Sequence, residues 1–258
     1  MGLDRLLKRE VGSLLIEDFE TDDVKVYFLE MCEEIPDYFF SMPSSTSGRY
    51  HNPKQCEKYG QLYHTFMFAS ILNHRLSLKG NRELYNTPEA RDCMRCIPMF
   101  HDAIKKGWNG SMYTVANHPV LAAEWVRTTK VPHMIDPYHI EMIAGMCETH
   151  SGEWNKTKSG NVIMPEPRNA MELFIHECDI LASRADLDWT ISEDLARLTQ
   201  KLDSAFVDDL PKVDEYILTF GKHSGKTLIE VRDTYPGWIT WAKANITREP
   251  VRTLLKEV

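Results

Sequence analysis

The sequence predicts an all-α domain followed by a small C-terminal α+β module. Apolar residues recur at spacings of three and four from residue 1 to about residue 205, which is the period of an amphipathic helix. After about residue 211, short apolar runs alternate with turn-rich stretches. A length of 258 residues is enough for one large helical domain and a small appendage. We therefore divide the chain into residues 1–210 and residues 211–258.

The first predicted helices flank a long polar loop. One helix spans residues 22–35 and ends before Pro36. Residues 41–55 contain Ser, Gly and Pro, which predicts a long loop of the kind that often covers a functional site. The next helix is expected over about residues 57–78 and carries His64.

Helix-start signals predict the elements that follow. Thr87 is a good N-cap and Pro88 suits the first helical position, so a helix should begin there. We expect it to continue to Gly107, with a kink at Pro98. Further helices are predicted to begin near Pro119 and at Asp136, and to occupy the segments 167–187 and 192–204.

Composition and charge exclude several classes of protein. No stretch approaches the roughly 20 consecutive apolar residues of a membrane span, and charges interrupt the N-terminal segment where a signal peptide would be apolar. We expect a cytoplasmic protein without a membrane partner, whose six cysteines are reduced. The net charge of −8 argues against a chain that coats nucleic acid indiscriminately. Residues 211–258 carry eight Lys or Arg and six Asp or Glu, which leaves −10 for residues 1–210.

Six histidine and aspartate residues lie in or beside predicted helices, whose rigid backbone can hold imidazoles and carboxylates around a cation. These candidate ligands are His64, His101, Asp102, His118, His150 and Asp179. Imidazole with carboxylate suits Mn, Fe, Co, Ni or Zn, whereas a pure carboxylate shell would favour Mg or Ca. We therefore expect one or two divalent transition metal ions.

The order of these residues resembles the HD-domain superfamily of metal-dependent phosphohydrolases, whose pattern is His, then His-Asp, then sometimes two further His, then Asp. The resemblance covers about residues 57–186. The words that carry it are QLYHTFMF, PMFHDAIKK, ANHPVLAAEW, ETHSGEWN and HECDILASR. It implies an HD-type helical bundle that hydrolyses phosphoesters.

The resemblance also implies roles for the ligands. His64, His101, Asp102 and Asp179 would hold one metal, and Asp102 would bridge to a second metal completed by His118 and His150. Many two-metal relatives carry a His-His pair where this chain has His150 and Ser151. A mononuclear and a dinuclear site therefore both stay open.

Two basic residues are candidates for contact with an anionic substrate. Lys105 follows Asp102 by one helical turn and matches the family pattern His-Asp-x-x-Lys. Arg184 offers a bidentate guanidinium that suits phosphate. We assign Asp102, Lys105 and Arg184 to catalysis, and Lys105 and Arg184 to substrate binding. Lys105 could equally be a solvated lysine, and Arg184 could pair with a nearby acid.

Other residues with metal-binding side chains receive no role. Cys93 and Cys96 lie in mid-helix without a second cysteine pair, so we expect them in the core. The remaining histidines fit no ligand spacing: His51, His74, His133, His139 and His176.

The C-terminal stretch YILTFGKHSGKTLIEVRDTYPGWITWAKAN resembles the small module at the C-terminus of exonuclease X, over about residues 215–246. Its two apolar runs predict a strand-turn element, and PGWITWAKAN predicts a short helix. GKHSGKT is no nucleotide P-loop, since only three residues separate the glycines where four are needed. Its lysines and tryptophans could bind nucleic acid, or the tryptophans could pack against the helical body or a second subunit.

The sequence thus predicts a phosphohydrolase that acts on a nucleotide or a nucleic acid. A pocket closed by residues 41–55 would favour mononucleotides or deoxynucleoside triphosphates, whereas an open groove that continues to the C-terminal segment would favour 3′-to-5′ exonuclease activity on single strands. The alternative from another class is a nucleotide-sensing regulatory protein that turns nothing over. A homo-oligomer also stays open.

Overall fold

The computed structural model describes residues 3–45, 51–157, 159–187, 192–207, 212–218, 220–246 and 251–258. The chain forms two compact units, Gly2–Leu202 and Asp203–Val258. The described residues are mostly helical, which confirms the all-α prediction. Within these residues, we find no helix with the length and apolar character needed to cross a bilayer. The predicted domain boundary at residues 210–211 lies outside the described residues.

Eight of the described α-helices lie within the larger unit, and a ninth begins in it and ends after Leu202. They are α1 (Arg5–Ser13), α2 (Asp22–Glu34), α3 (Gly60–Ser77), α4 (Lys79–Leu84), α5 (Pro88–Phe100), α6 (His118–Thr128), α7 (Pro137–Thr149), α8 (Ala170–Ser183) and α9 (Glu193–Val207). Short 3-10 turns occupy Asp37–Phe40 and Pro53–Cys56. The predicted caps are confirmed: the Thr87 side chain accepts from Ala90 N, and that of Asp136 accepts from Tyr138 N. Helices α1 and α4 were not predicted from the sequence.

The core of the larger unit lies where α3, α5, α7 and α8 pack together. Helix α3 contacts α5 and α8, α5 contacts α7, and α7 also contacts α6 and α8. Buried aromatic rings join the layers, since Phe100 at the end of α5 stacks on Phe28 of α2 at 5.4 Å and meets Trp125 of α6 edge-on at 5.2 Å. This packing brings the C-terminal ends of α5 and α7 close to α3 and α8.

A charge network ties the start of α2 to α5. Arg91 donates to both oxygens of Glu20, at 2.7 and 2.6 Å, and Arg95 donates to Glu20 at 3.0 Å. The fully buried Asp92 accepts from the Glu20 and Thr21 backbone amides and from the Thr21 hydroxyl. These contacts span about 70 residues of sequence, so they fix a long-range junction of the fold.

The predicted extension of α5 to Gly107 is wrong. The helix ends at Phe100. The backbone then forms turns in which an amide donates to the carbonyl three residues earlier, such as Lys105 N to Asp102 O at 3.0 Å. The reason is tertiary: Tyr38 donates to the carbonyls of Ala103 and Gly107, and Val115 N donates to the Lys105 carbonyl. Carbonyls that an α-helix would use internally are therefore satisfied by other parts of the chain.

The smaller unit contains α10 (Leu228–Thr234), α11 (Pro236–Asn245) and α12 (Val251–Leu254). Its core consists of Leu218, Leu228, Val231, Ile239, Ala242, Val251, Leu254 and Leu255. Ile217 and Thr227 form an isolated antiparallel bridge. The strand expected for the second apolar run is wrong, because that run begins α10. Thr227 and Glu230 form a reciprocal capping box there, a signal present in the sequence that the strand prediction overlooked.

Candidate metal centre

The structure brings all six candidate metal ligands together inside the larger unit. Each comes from a helix or from a helix end. His64 lies on α3, His101 and Asp102 follow α5, His118 begins α6, His150 caps the end of α7, and Asp179 lies on α8. Packing of these helices, rather than proximity in sequence, thus assembles the cluster.

One group of ligand atoms centres on His64. Its Nε2 lies 2.9 Å from Asp179 Oδ1 and 3.3 Å from His101 Nε2. His101 Nε2 lies 3.8 Å from the same Asp179 oxygen. Because these three atoms can converge on one point, His64, His101 and Asp179 could hold a metal ion.

A second group centres on Asp102, which is 2% exposed. Its Oδ2 lies 3.3 Å from His101 Nε2, and its Oδ1 lies 3.0 Å from His118 Nε2 and 3.8 Å from His150 Nε2. His101, Asp102 and His150 could together hold a metal ion, with His118 beside them. His101 belongs to both groups, so the two sets of ligands are contiguous.

Backbone carbonyls orient three of the imidazoles. The Nδ1 atoms of His101, His118 and His150 lie 3.0, 2.9 and 2.7 Å from carbonyl oxygens of the preceding turn. Each Nδ1 therefore carries the proton and donates, which leaves Nε2 as the nitrogen that faces the carboxylates. A protein that ligates metal through Nε2 usually fixes the ring in this way.

Unpartnered buried atoms fit a cation in this cluster. Among the described residues, Asp102 Oδ1 and His64 Nδ1 are buried without a hydrogen bond of good geometry. Since His118 Nδ1 donates to a carbonyl, its Nε2 lone pair faces Asp102 Oδ1 at 3.0 Å. Two lone pairs at that distance need a positive charge close by. The donor set of imidazoles and carboxylates suits a transition metal ion.

The carboxylates of the cluster are held ionised. Burial alone would raise the pKa of Asp102, but Lys105 and His101 outweigh it and hold that pKa well below its usual range. Burial also opposes ionisation of Asp179, yet the hydrogen bond from His64 and the charge of His101 lower its pKa. Both acids are therefore anionic ligands at neutral pH.

The two basic candidates lie in different surroundings. Lys105 is only 9% exposed, and its Nζ lies 2.6 Å from Asp102 Oδ2 and 3.4 Å from Gln61 Oε1. It is thus part of the cluster and not a solvated lysine. The Arg184 side chain is about half exposed and forms a bidentate pair with Asp186 at 2.6 and 2.7 Å. Of the two roles considered for Arg184, the structure contains the ion pair with a nearby acid.

Three residues beside the cluster were not predicted from the sequence. The His51 ring lies 5.8 Å from that of His64, and burial and the charge of His64 lower its pKa to about 4. Gln61 is fully buried next to Lys105. His176 Nδ1 lies 2.6 Å from the backbone carbonyl of His150. No spacing pattern in the sequence points to these residues, because contacts of a loop and between helices bring them to the cluster.

His51 lies within the predicted site cover, residues 41–55, where the described chain resumes. Residues 46–50 of that loop lie outside the described residues. The His51 Nδ1 lies 2.9 Å from Gln55 Oε1, and Gln55 in turn donates to the Ala182 carbonyl at 2.7 Å. The C-terminal end of the loop is therefore anchored to the end of α8, next to the cluster.

Gly152→Ala is expected to shift the backbone that positions His150. A Cβ at Gly152 would lie 2.2 Å from Cε1 and Nε2 of His176, the ring that donates to the His150 carbonyl. Overpacking of this kind costs about 1–3 kcal/mol. Urea unfolding should show that loss, and metal affinity should fall about tenfold or more because the support of a ligand is displaced.

Gly160→Ala is the matched control. Gly160 also has a positive φ, 85° against 54° for Gly152, but no atom of the described residues lies within 4 Å of the position that an alanine Cβ would occupy there. Both variants carry the backbone strain of about 1–2 kcal/mol, so only Gly152→Ala adds the steric clash. Equal losses of stability in the two variants would show that the His176 contact contributes nothing.

Comparison with known proteins returns no relative. No family model matches the chain, no curated protein matches it, and no solved structure matches it. The chemistry of the clustered side chains is accordingly the basis on which a function can be proposed.

Proposed function

We propose that the chain is a metal-dependent phosphohydrolase of the HD type, which cleaves a phosphoester of a nucleotide or a nucleic acid. The observation that carries the proposal is the meeting of four imidazoles and two carboxylates in one cluster. The ligand order along the chain resembles that superfamily, and each member of the set faces the same interior region.

The imidazoles and the carboxylates would contribute differently to metal binding. His101, His118 and His150 offer Nε2, because their Nδ1 atoms are engaged by backbone carbonyls. Asp102 and Asp179 supply negative charge that offsets a divalent cation. When bound, a divalent transition metal neutralises phosphate charge and lowers the pKa of a coordinated water, which is what hydrolysis near neutral pH requires.

Basic side chains would position the phosphate. Lys105 keeps an ammonium group 2.6 Å from Asp102 Oδ2, so it can donate to a phosphoryl oxygen and stabilise charge that develops there. Arg184 would contribute by exchanging Asp186 for the substrate, since both are bidentate acceptors for a guanidinium. His51 donates from Nδ1 to Gln55 Oε1 and is neutral at pH 7, so its Nε2 can accept a hydrogen bond from a water or from a protonated phosphate oxygen.

Metal analysis and product release test the proposal together. The purified full-length chain is dialysed, its metal content is measured by mass spectrometry, and release of phosphate or nucleotide is assayed with each of Mn, Fe, Co, Ni and Zn. We expect one or two transition metal ions per chain and turnover that a chelator abolishes. A chain that retains no metal, or that stays fully active without metal, contradicts the proposal.

The substrate panel separates the remaining alternatives. Turnover of nucleoside triphosphates or monophosphates favours a nucleotidase, and stepwise shortening of single strands favours a 3′-to-5′ exonuclease. Metal and nucleotide binding without any turnover favours the nucleotide-sensing protein. The C-terminal segment 211–258, which resembles the small α+β module of exonuclease X, adds weight to a nucleic acid substrate.

A further inference from the structure

A row of aromatic rings lies on the smaller unit and extends from its core to solvent. The His223 ring lies 4.6 Å from Tyr235 and 5.2 Å from Trp238, and Trp238 lies 6.3 Å from Trp241. We call Tyr235, Trp238 and Trp241, with Lys222 and Lys226, the aromatic face. Its rings come from α11 and the residue before it, so one short segment presents them side by side.

The aromatic face is open to solvent in the described chain. Trp241 is 54% exposed and Tyr235 is 41% exposed, while Trp238 is partly buried against the core. The core of the unit is formed by aliphatic side chains such as Leu228, Val231 and Leu254. Tyr235 and Trp241 therefore contribute little to that core, and a stability role does not account for their exposed rings.

Lysines lie beside the rings. The Lys226 ammonium lies 4.7 Å from the centre of the Tyr235 ring, a cation–π distance. Lys222 is exposed on the same turn and next to His223 in sequence. The segment 211–258 carries a net charge of +2 in a chain of net charge −8. The smaller unit as a whole, Asp203–Val258, carries eight Lys or Arg and nine Asp or Glu, so the positive charge is local to the turn 221–226, which holds both lysines and no acid.

Rings beside ammonium groups match the chemistry of an unpaired nucleic acid strand. Exposed bases stack on aromatic side chains, and lysines bind the phosphates. The lysines call for an anionic partner as well as an apolar one, and a nucleic acid strand supplies both a phosphate and a base at every nucleotide. Stacking and phosphate contacts need no ribose 2′-hydroxyl, so a deoxyribose strand satisfies every group of the face, and an RNA strand of equal length is the comparison.

We propose that the aromatic face binds single-stranded DNA, with bases stacked on Tyr235 and Trp241 and phosphates held by Lys222 and Lys226. The binding tolerates many sequences, because every base can stack. It weakens with salt, since lysine contacts release counterions from the strand. This activity is separate from phosphoester hydrolysis and stands whether or not the larger unit is a phosphohydrolase.

Fluorescence anisotropy with the full-length chain tests the proposal. The probe is a labelled oligothymidylate of about 20 nucleotides, with a chelator present to prevent cleavage. We expect Kd to rise about tenfold or more in the double variant Tyr235→Ala and Trp241→Ala. Trp108→Ala is the matched control, because Trp108 is 52% exposed but lies in the larger unit. It should leave Kd unchanged.

Salt dependence tests the lysines separately. Between about 50 mM and about 200 mM salt, Lys222→Ala should reduce the slope of log Kd against log salt by about one unit. Lys79→Ala, at a side chain 89% exposed in the larger unit, should not change the slope. Circular dichroism and the thermal transition show whether each variant keeps its fold.

Four outcomes would overturn the proposal. The first is no binding of the oligothymidylate at about 50 mM salt. The second is binding that the face variants leave intact while they remain folded. The third is a dimer of the wild-type chain, seen by sedimentation, that Trp241→Ala dissociates without any effect on DNA, since the face would then join two copies. Tighter binding of an oligouridylate of equal length would overturn the assignment to DNA and favour RNA.

Discussion

Asp102→Asn is expected to abolish metal retention and to lower kcat by about 10³-fold or more. Asp102 is the shared neighbour of His101, His118, His150 and Lys105, at 2.6 to 3.8 Å. Asparagine keeps the volume but removes the negative charge that offsets a cation. A loss of 10³ corresponds to about 4 kcal/mol of transition-state stabilisation, within the range for metal-assisted hydrolysis.

Metal content and turnover should be measured on the same sample. Mass spectrometry gives the ions bound per chain, steady-state assays give kcat, and circular dichroism reports the helical fold. The fold should survive, because replacement of a buried acid leaves the surrounding core residues in place. Lys105 loses the negative charge beside its buried ammonium group in this variant, so some loss of thermal stability is expected along with the loss of metal.

Asp18→Asn provides the matched control. Asp18 is an exposed acid of the larger unit that accepts from Asn73 at 2.7 Å, and the variant should retain its metal and its kcat. An Asp102→Asn protein that binds metal as the wild type does, and turns substrate over at the same rate, would remove Asp102 from the proposed mechanism.

The six candidate ligands could be selected from sequence because their types and their helix context belong together. His101 and Asp102 follow a helix whose start was marked by Thr87, and Asp179 sits in a clearly periodic helix. What brings them to within hydrogen-bond distance is the packing of helices far apart in sequence. Distances of 2.9 Å, such as that between His64 and Asp179, could only come from a folded structure.

The neighbours of the ligands could not be selected in the same way. His176 acts on a backbone carbonyl of His150, and any residue type can supply a carbonyl, so the sequence holds no partner signal. His51 lies in the 41–55 loop and reaches His64 through its anchoring by Gln55. Loop positions follow tertiary contacts rather than periodicity, which is why a histidine in this loop carried no signal of its place in the fold.

Fold prediction succeeded where a local signal decides the structure and failed where distant contacts compete with it. Asp136 and Thr87 cap their helices as local chemistry dictates. The segment up to Gly107 contains good helix formers, yet its Ala103 and Gly107 carbonyls accept hydrogen bonds from Tyr38 instead of from the backbone of a helix. The start of α10 was a different failure, because the capping box of Thr227 and Glu230 is local and readable.

Glu20→Gln is expected to destabilise the larger unit in a pH-dependent way. The hydrogen bond from Arg91 lowers the pKa of Glu20 from 4.5 to about 2 against the opposing effect of burial, with further help from Arg95. Folding therefore favours the ionised carboxylate. Its contribution is fully present above about pH 5 and is lost as the pH falls through 4.5 towards 2.

The size of this contribution follows from the shift in pKa. The full shift would correspond to about 3 kcal/mol, and solvent screening at a side chain that is 23% exposed reduces it to about 2 kcal/mol. Glu20→Gln also leaves the buried guanidiniums of Arg91 and Arg95 without a counter-charge on this side. The wild type should therefore exceed the variant in free energy of unfolding by about 2 kcal/mol at neutral pH.

Urea unfolding over a pH series checks both the size and the sign. The difference between wild type and Glu20→Gln should shrink as the pH falls below about 5, because the carboxylate takes up a proton in the unfolded state near pH 4.5 but stays ionised in the folded state until about pH 2. Glu83→Gln is the control: its pair with Lys79 is exposed on both sides and should contribute less than about 0.5 kcal/mol at any pH. A difference for Glu20→Gln that stays constant from neutral to acid pH would mean that the charge network does not select the ionised form, and that the variant is destabilised by packing or hydrogen-bond geometry that the amide does not reproduce.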